Sequence, residues 1–99
     1  MTSFRNLKIE ALLINIVAEY FTMESGNTSL ITVTKCIISD NGNYASIYIS
    51  VFQESRADAA LDFANRKRRD LRDFMSRKMR SRGIPQIEFL IDKTSNLGE

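Results

Sequence analysis

The chain has 99 residues, 43% of them hydrophobic and 26% charged, which allows one domain-sized core and little more. It has no histidine and one cysteine, Cys36, which excludes an internal disulfide, the usual Cys/His zinc sites and the common nucleophile–base pairs. The net charge of +2 hides an asymmetry: residues 66–82 set nine basic residues against Asp70 and Asp73, while the rest of the chain holds five basic and ten acidic residues. Positive charge concentrated in this way points to a polyanionic partner.

In chain order, the spacing of Ile9, Leu13, Ile16, Val17 and Tyr20 predicts a helix from about Phe4 to Met23. Leu12, Ile14 and Phe21 widen its apolar arc, which implies deep packing. The most apolar stretch, Ala11 to Ala18, is too short to span a bilayer, and the N-terminus carries no secretory pattern. A soluble cytoplasmic protein is expected, in keeping with the lone cysteine. Ser25-Gly26-Asn27 ends the helix, and Leu30 to Ile38 then turns β-branched. From Tyr44 to Phe52, Ala45, Ile47, Ile49 and Val51 alternate with Tyr44, Ser46, Tyr48 and Ser50, the pattern of a strand buried on one face. Asn41-Gly42 between the two runs predicts a hairpin.

Ser55 is the expected cap of a second helix, with Asp58 in the capping-box position. Ala57, Ala60, Leu61 and Ala64 give that helix a narrow small-residue face for close approach to a sheet. The helical pattern continues through Leu71, Phe74, Met75 and Met79 until Gly83 and Pro85 stop it. Ile87, Phe89 and Ile91 then alternate with Glu88, Leu90 and Asp92 as a third strand. The order is α-β-β-α-α-β: an α+β layer with helices covering one face of a three-stranded sheet and the other face open. Residues 1–93 are read as the domain and 94–99 as a short flexible tail.

Catalysis is not expected. The carboxylates are scattered, none of the four glycines builds a phosphate-cradling loop, and Cys36 in a strand reads as a small core residue. No metal or cofactor is called for, and no small-molecule substrate. On the basic helix, Leu71, Phe74, Met75 and Met79 share one arc, whereas Arg69, Arg72, Arg77 and Arg80 share the opposite, solvent side. Arginine outnumbers lysine seven to two in this segment, and guanidinium groups bind phosphate in a bidentate way and stack on bases. The bland reading, a solvated helix face, does not call for a run so nearly of one sign. A membrane-surface helix is disfavoured because its apolar residues are needed for the core. Lys78 lies within the apolar arc, where its stem can pack while its head reaches water. The candidate RNA contacts are therefore Arg66, Lys67, Arg68, Arg69, Arg72, Arg77, Lys78, Arg80 and Arg82, with Arg5, Lys8 and Lys35 as additional ones. Tyr44 and Tyr48 face away from the apolar side of their strand, where they can stack on bases or simply stabilise the sheet.

The stretch from Leu71-Arg72-Asp73-Phe74 through Arg80-Ser81-Arg82-Gly83-Ile84-Pro85-Gln86-Ile87-Glu88-Phe89-Leu90-Ile91-Asp92 resembles the ribosome-binding factor A family. Arg72, Arg80, Arg82, Pro85, Phe89 and Asp92 fill the places of that family's helix-to-strand pattern. Upstream, Ile31-Thr32-Val33 and Tyr44-Ala45-Ser46-Ile47-Tyr48-Ile49 match with an unchanged hairpin length. The resemblance covers about Phe4 to Asp92. It implies a type II KH-like domain that binds the free small (30S) ribosomal subunit and 16S rRNA and assists late 5′-end maturation, notably in cold adaptation. It also implies a monomer with no membrane partner. The family kinks between its last two helices at Ala-x-Gly; here Lys67-Arg68-Arg69 stands in that place. Either the kink persists and presents three cations to RNA, with Asp70 capping the third helix, or the helices run together. The alternative function is a protein–protein adaptor whose basic helix docks an acidic partner.

Overall fold

A computed structural model describes residues 4–24, 31–52, 54–79 and 83–93, with side chains from residue 7 onward. The elements are α1 (Phe4–Glu24), β1 (Ile31–Ile38), β2 (Tyr44–Val51), a 3-10 turn (Glu54–Arg56), α2 (Ala57–Arg66), α3 (Arg68–Met79) and β3 (Gln86–Ile91). The expected order is thus met. The sheet runs β1-β2-β3, with β1 antiparallel and β3 parallel to β2. A parallel neighbour requires a long crossover, and α2 and α3 supply it. The C-terminal tail lies outside the described residues.

One face of the sheet supplies Cys36, Ile38, Ala45, Ile47, Ile49, Ile87 and Phe89 to the core. Helix α1 meets them with Leu13, Ile16, Val17, Tyr20 and Phe21, and α3 with Leu71, Phe74 and Met75. The buried arc of α1 is narrower than its sequence suggests: Leu12 is 45% exposed, because the sheet is only three strands wide. Phe21 lies 5.7 Å from Phe89 and 6.3 Å from Phe63 between ring centroids, and Tyr20 lies 5.5 Å from Phe74. These tilted aromatic contacts join all three helices to β3.

The hairpin forms as expected. Ser39 and Tyr44 close it through the Ser39 N–H, which donates to the Tyr44 carbonyl at 2.9 Å, and Gly42 takes φ +78°. The Asn41 side chain accepts from the Asn43 N–H at 2.9 Å and from the Ser39 hydroxyl at 2.8 Å. Such a side-chain acceptor mimics a backbone turn.

Two features were not anticipated. β1 is bulged: Val33 pairs with Ile49 and Lys35 with Tyr48, leaving Thr34 as the extra residue. The bulge lets Ile31 and Val33 share the inner face with Cys36 and Ile38 although their parity differs. The Thr34 hydroxyl donates to Asp92 Oδ2 at 2.6 Å, and the Asp92 N–H donates to the Ile49 carbonyl at 2.8 Å. Asp92, only 6% exposed, therefore ties the end of β3 across β2 to β1. The start of α2 also differs: Arg56 occupies its N-cap without a side-chain cap bond, and Ser55 lies in the preceding 3-10 turn. The expected Ser55/Asp58 capping box is replaced by that turn, which gives the chain a tighter entry into the helix.

Each outer strand has one backbone group of its free edge bonded by a side chain. At β1 the Ile38 N–H donates to the buried Glu10 carboxylate at 2.8 Å. Beyond β3, Arg68 donates to the Ile87 carbonyl at 3.3 Å and Arg72 to the Ile84 carbonyl at 2.9 Å. Among the described residues no helix is long and apolar enough to cross a membrane.

Candidate nucleic-acid interface

The break between α2 and α3 persists, and its chemistry explains how it does so without glycine. Lys67 alone interrupts the helix, at φ −91°, ψ 4°, and its N–H is shared between the Phe63 and Ala64 carbonyls. The helix then restarts with the Leu71 N–H donating to the Lys67 carbonyl at 2.8 Å. Such a break leaves carbonyls at the end of α2 in need of donors. Arg68 answers by donating its Nε–H to the Asn65 carbonyl at 3.1 Å while its far end reaches β3. A long cation thus caps the helix end, a task glycine performs by conformation alone.

The three cations expected at a retained break have different surroundings, with Arg68 and Arg69 exposed and Lys67 half-buried. Lys67 forms an ion pair with Glu24 of α1 at 3.0 Å and stands 5.7 Å over the Phe63 ring. Arg68 is held by backbone carbonyls on two elements. Arg69 is exposed and has no hydrogen bond or ion pair among the described residues. Asp70 lies in the first turn of α3, where a carboxylate suits the helix dipole, and its Oδ2 accepts the Tyr20 hydroxyl at 2.7 Å. Burial, the bond to Asp70 and the charge of Glu24 together push the Tyr20 phenol well above its ordinary value, so it stays a neutral donor.

Further along α3, Arg72 departs from its expected solvent-side position. Helical spacing placed it on the solvent side, but the segment leading into β3 folds back over that flank. Arg72 is half-buried, one terminal nitrogen donates to the Ile84 carbonyl at 2.9 Å, and its Nε is enclosed without a hydrogen-bond partner. Lys78 behaves as its place in the apolar arc suggests: its head pairs with Glu19 at 3.1 Å and lies 5.4 Å over the Phe74 ring. Arg77 is exposed and, like Arg69, has no partner among the described residues. Arg66 pairs with Asp62 one turn earlier at 3.3 Å, with both side chains largely in water. An exposed pair of that kind contributes little and leaves Arg66 able to exchange partners.

The remaining candidates are dispersed. Lys35 is exposed on the sheet face remote from the helices, 4.6 Å over the Tyr48 ring. Lys8 is exposed on α1. Arg80, Arg82 and the side chain of Arg5 lie outside the described residues. Sequence reasoning missed the counter-ions Glu19 and Glu24. Their five-residue spacing on α1 was the available signal, but only the helix pairing reveals which cations they meet.

Nothing else gathers into a reactive centre among the described residues. Burial, reinforced by the charge of Glu10, pushes the Cys36 thiol up to about 12, so it remains protonated. No group of three or more metal-ligating side chains occurs among the described residues.

Comparison with known proteins completes the description. A sequence model of the ribosome-binding factor A family matches residues 5–99. Ribosome-binding factor A of Thermus thermophilus is 32% identical over 83 residues, covering 83% of this chain and 85% of that one. The crystal structure of the Thermus thermophilus protein superposes with a TM-score of 0.76 at 31% identity, over 87% of this chain and 94% of its own. A solution NMR structure from Thermotoga maritima, 20% identical, shares the fold with a TM-score of 0.81 over 94% and 92% of the two chains. Coordinates of the Thermus thermophilus factor fitted into a cryo-EM map of its complex with the 30S subunit match with a TM-score of 0.74 at 32% identity, over 88% and 94%.

Proposed function

The chain belongs to the ribosome-binding factor A family, and from that premise we propose that it is a maturation factor binding free 30S subunits and 16S rRNA. On this reading it assists late 5′-end processing of the rRNA, including during cold adaptation, and acts as a cytoplasmic monomer without catalytic chemistry of its own. Residues 1–93 form the binding domain. The complex of the Thermus thermophilus factor with the 30S subunit supports the choice of partner.

The observation that carries the reading in this chain is the pair Arg69 and Arg77, exposed and unpartnered on a helix whose other described cations are already engaged. They are the primary phosphate contacts. Arg66 joins them by leaving its weak pair with Asp62, and Arg80 and Arg82 are proposed as further contacts. Lys67, Arg68, Arg72 and Lys78 act mainly by holding α3 in place, while Arg5, Lys8 and Lys35 remain proposed peripheral contacts. Folded RNA offers side chains little sequence in its deep groove, so binding is guided by shape and phosphate position.

The first experiment is sucrose-gradient sedimentation of tagged protein, followed by salt titration of binding to purified 30S subunits. Co-migration with free small subunits and not with translating ribosomes is expected. The Arg69→Glu/Arg77→Glu variant should lose at least tenfold in affinity, and loss of each phosphate contact should flatten the salt slope by about 0.7–0.9. A folded double variant with wild-type affinity would remove α3 as the contact surface. Binding that survives nuclease and follows an acidic protein would favour the adaptor.

A further inference from the structure

Tyr44 and Tyr48 stand on the same face of β2 and have different surroundings. Tyr48 is half-buried, with the Lys35 ammonium over its ring, which accounts for it as part of the sheet. Tyr44 is 60% exposed and has no ring or cation partner among the described residues. Its backbone is nevertheless fixed: its carbonyl accepts from the Ser39 N–H, and its N–H donates to the Ser39 hydroxyl at 3.1 Å. An exposed ring on a rigid strand end is a preorganised apolar plate.

Tyr44 walls a cleft of about 330 Å³ at the hairpin end of the sheet, between the β1–β2 turn and the segment entering β3. Asn43, Gln86 and Arg72 line the same cleft, and no carboxylate does among the described residues. A second cleft, of about 260 Å³, shares Tyr44 and Gln86 and brings in Arg68 together with Glu88. The registry is tight: Tyr44 is the β2 partner of Gln86, whose N–H donates to the Asn43 carbonyl at 2.9 Å. Arg72 is held by Ile84 on one side while its Nε–H has no acceptor. An enclosed donor left unpaired is uncommon in folded proteins, and its cost is relieved when an acceptor or water arrives.

We propose that this cleft takes one unpaired nucleotide of RNA, its base stacked on Tyr44, its edge facing the Asn43 and Gln86 carboxamides, and its phosphate drawn to Arg72. The inference rests on the RNA-binding reading above and adds a site on a different part of the molecule from Arg69 and Arg77. An aromatic plate, two carboxamides and a guanidinium, with Glu88 confined to the adjoining cleft, match the three parts of a nucleotide. Stacking is also how splayed-out bases are commonly held.

The test uses the full chain, with hexauridylate as an NMR probe and purified 30S subunits for affinity. Shift changes should centre on Asn43, Tyr44, Ala45, Gln86 and the Arg72 Nε–H. Tyr44→Ala should weaken binding to both probes by about five- to a hundredfold, the range for loss of one stacked base, while Tyr44→Phe retains it. Shifts confined to α3, or wild-type affinity in Tyr44→Ala where Arg77→Glu has lost it, would overturn the nucleotide site and leave the α3 interface standing. Failure of the wild-type chain to bind either probe would bring down both.

Discussion

Toward α1, helix α3 and the break before it offer lysines to carboxylates; toward β3, α3 offers arginines to backbone carbonyls. Lys67 and Lys78 meet Glu24 and Glu19 as point charges at a partly hydrated seam, with their ammonium groups also over the Phe63 and Phe74 rings. Arg68 and Arg72 instead use directional N–H groups to reach carbonyls at Ile87 and Ile84. The division follows the chemistry of the two cations, since a guanidinium presents several donors in a fixed plane and an ammonium does not. It also shows that the charge of a segment and the charge it presents outward are different quantities. Much of the positive charge between residues 66 and 79 fastens the helix on both sides, and Arg69 and Arg77 face out between the two seams.

If the β3 flank is the structural one, Arg72→Ala should produce the largest stability loss of the tests that separate the flanks. Removing a charge-assisted bond is expected to cost about 1.5–3 kcal/mol in urea unfolding, whereas Arg77→Ala should stay within about 0.5 kcal/mol. Equal effects would erase the distinction between held and free arginines. Tyr20→Phe probes the α1 side at its most buried point and should cost about 1 kcal/mol at neutral pH. Because folding raises the Tyr20 phenol above its ordinary value of 10, the contribution is complete below that pH and is lost as pH rises beyond it. The variant should therefore show a shallower alkaline decline. The smallest effect belongs to Lys78→Met, which removes the exposed pair with Glu19 and the ammonium over the Phe74 ring. A change below about 1 kcal/mol, vanishing in high salt, is expected from thermal unfolding at two ionic strengths.

Periodicity located the helices, β2 and β3 because each buries one regular face, β-branched composition located β1, and Asn41-Gly42 announced its turn through the positive φ that Gly42 adopts. The bulge at Thr34 was less accessible. Ile31 and Val33 fall out of phase with Cys36 and Ile38, but a phase slip in eight residues reads as noise until the partner strand is known. The capping box failed because Ser55 and Asp58 satisfy the pattern locally while the 3-10 turn moves the helix start to Ala57. For the candidate site, helical spacing gave the angular position of each cation and nothing about what lies beyond it. Arg72 was misplaced because the cover on its flank comes from Ile84, twelve residues away. Lys78 was read correctly because its surroundings are set by Phe74 on its own helix.

The capped edges of the sheet restrict how this molecule can join others. A strand arriving at β1 meets Glu10 at the Ile38 amide, and one arriving at β3 meets Arg68 at the Ile87 carbonyl. At these points the backbone offers no template for recruiting another β-strand, which is the route by which small sheet proteins polymerise. Association at these points is thereby directed to side-chain surfaces, where it can be made selective and undone.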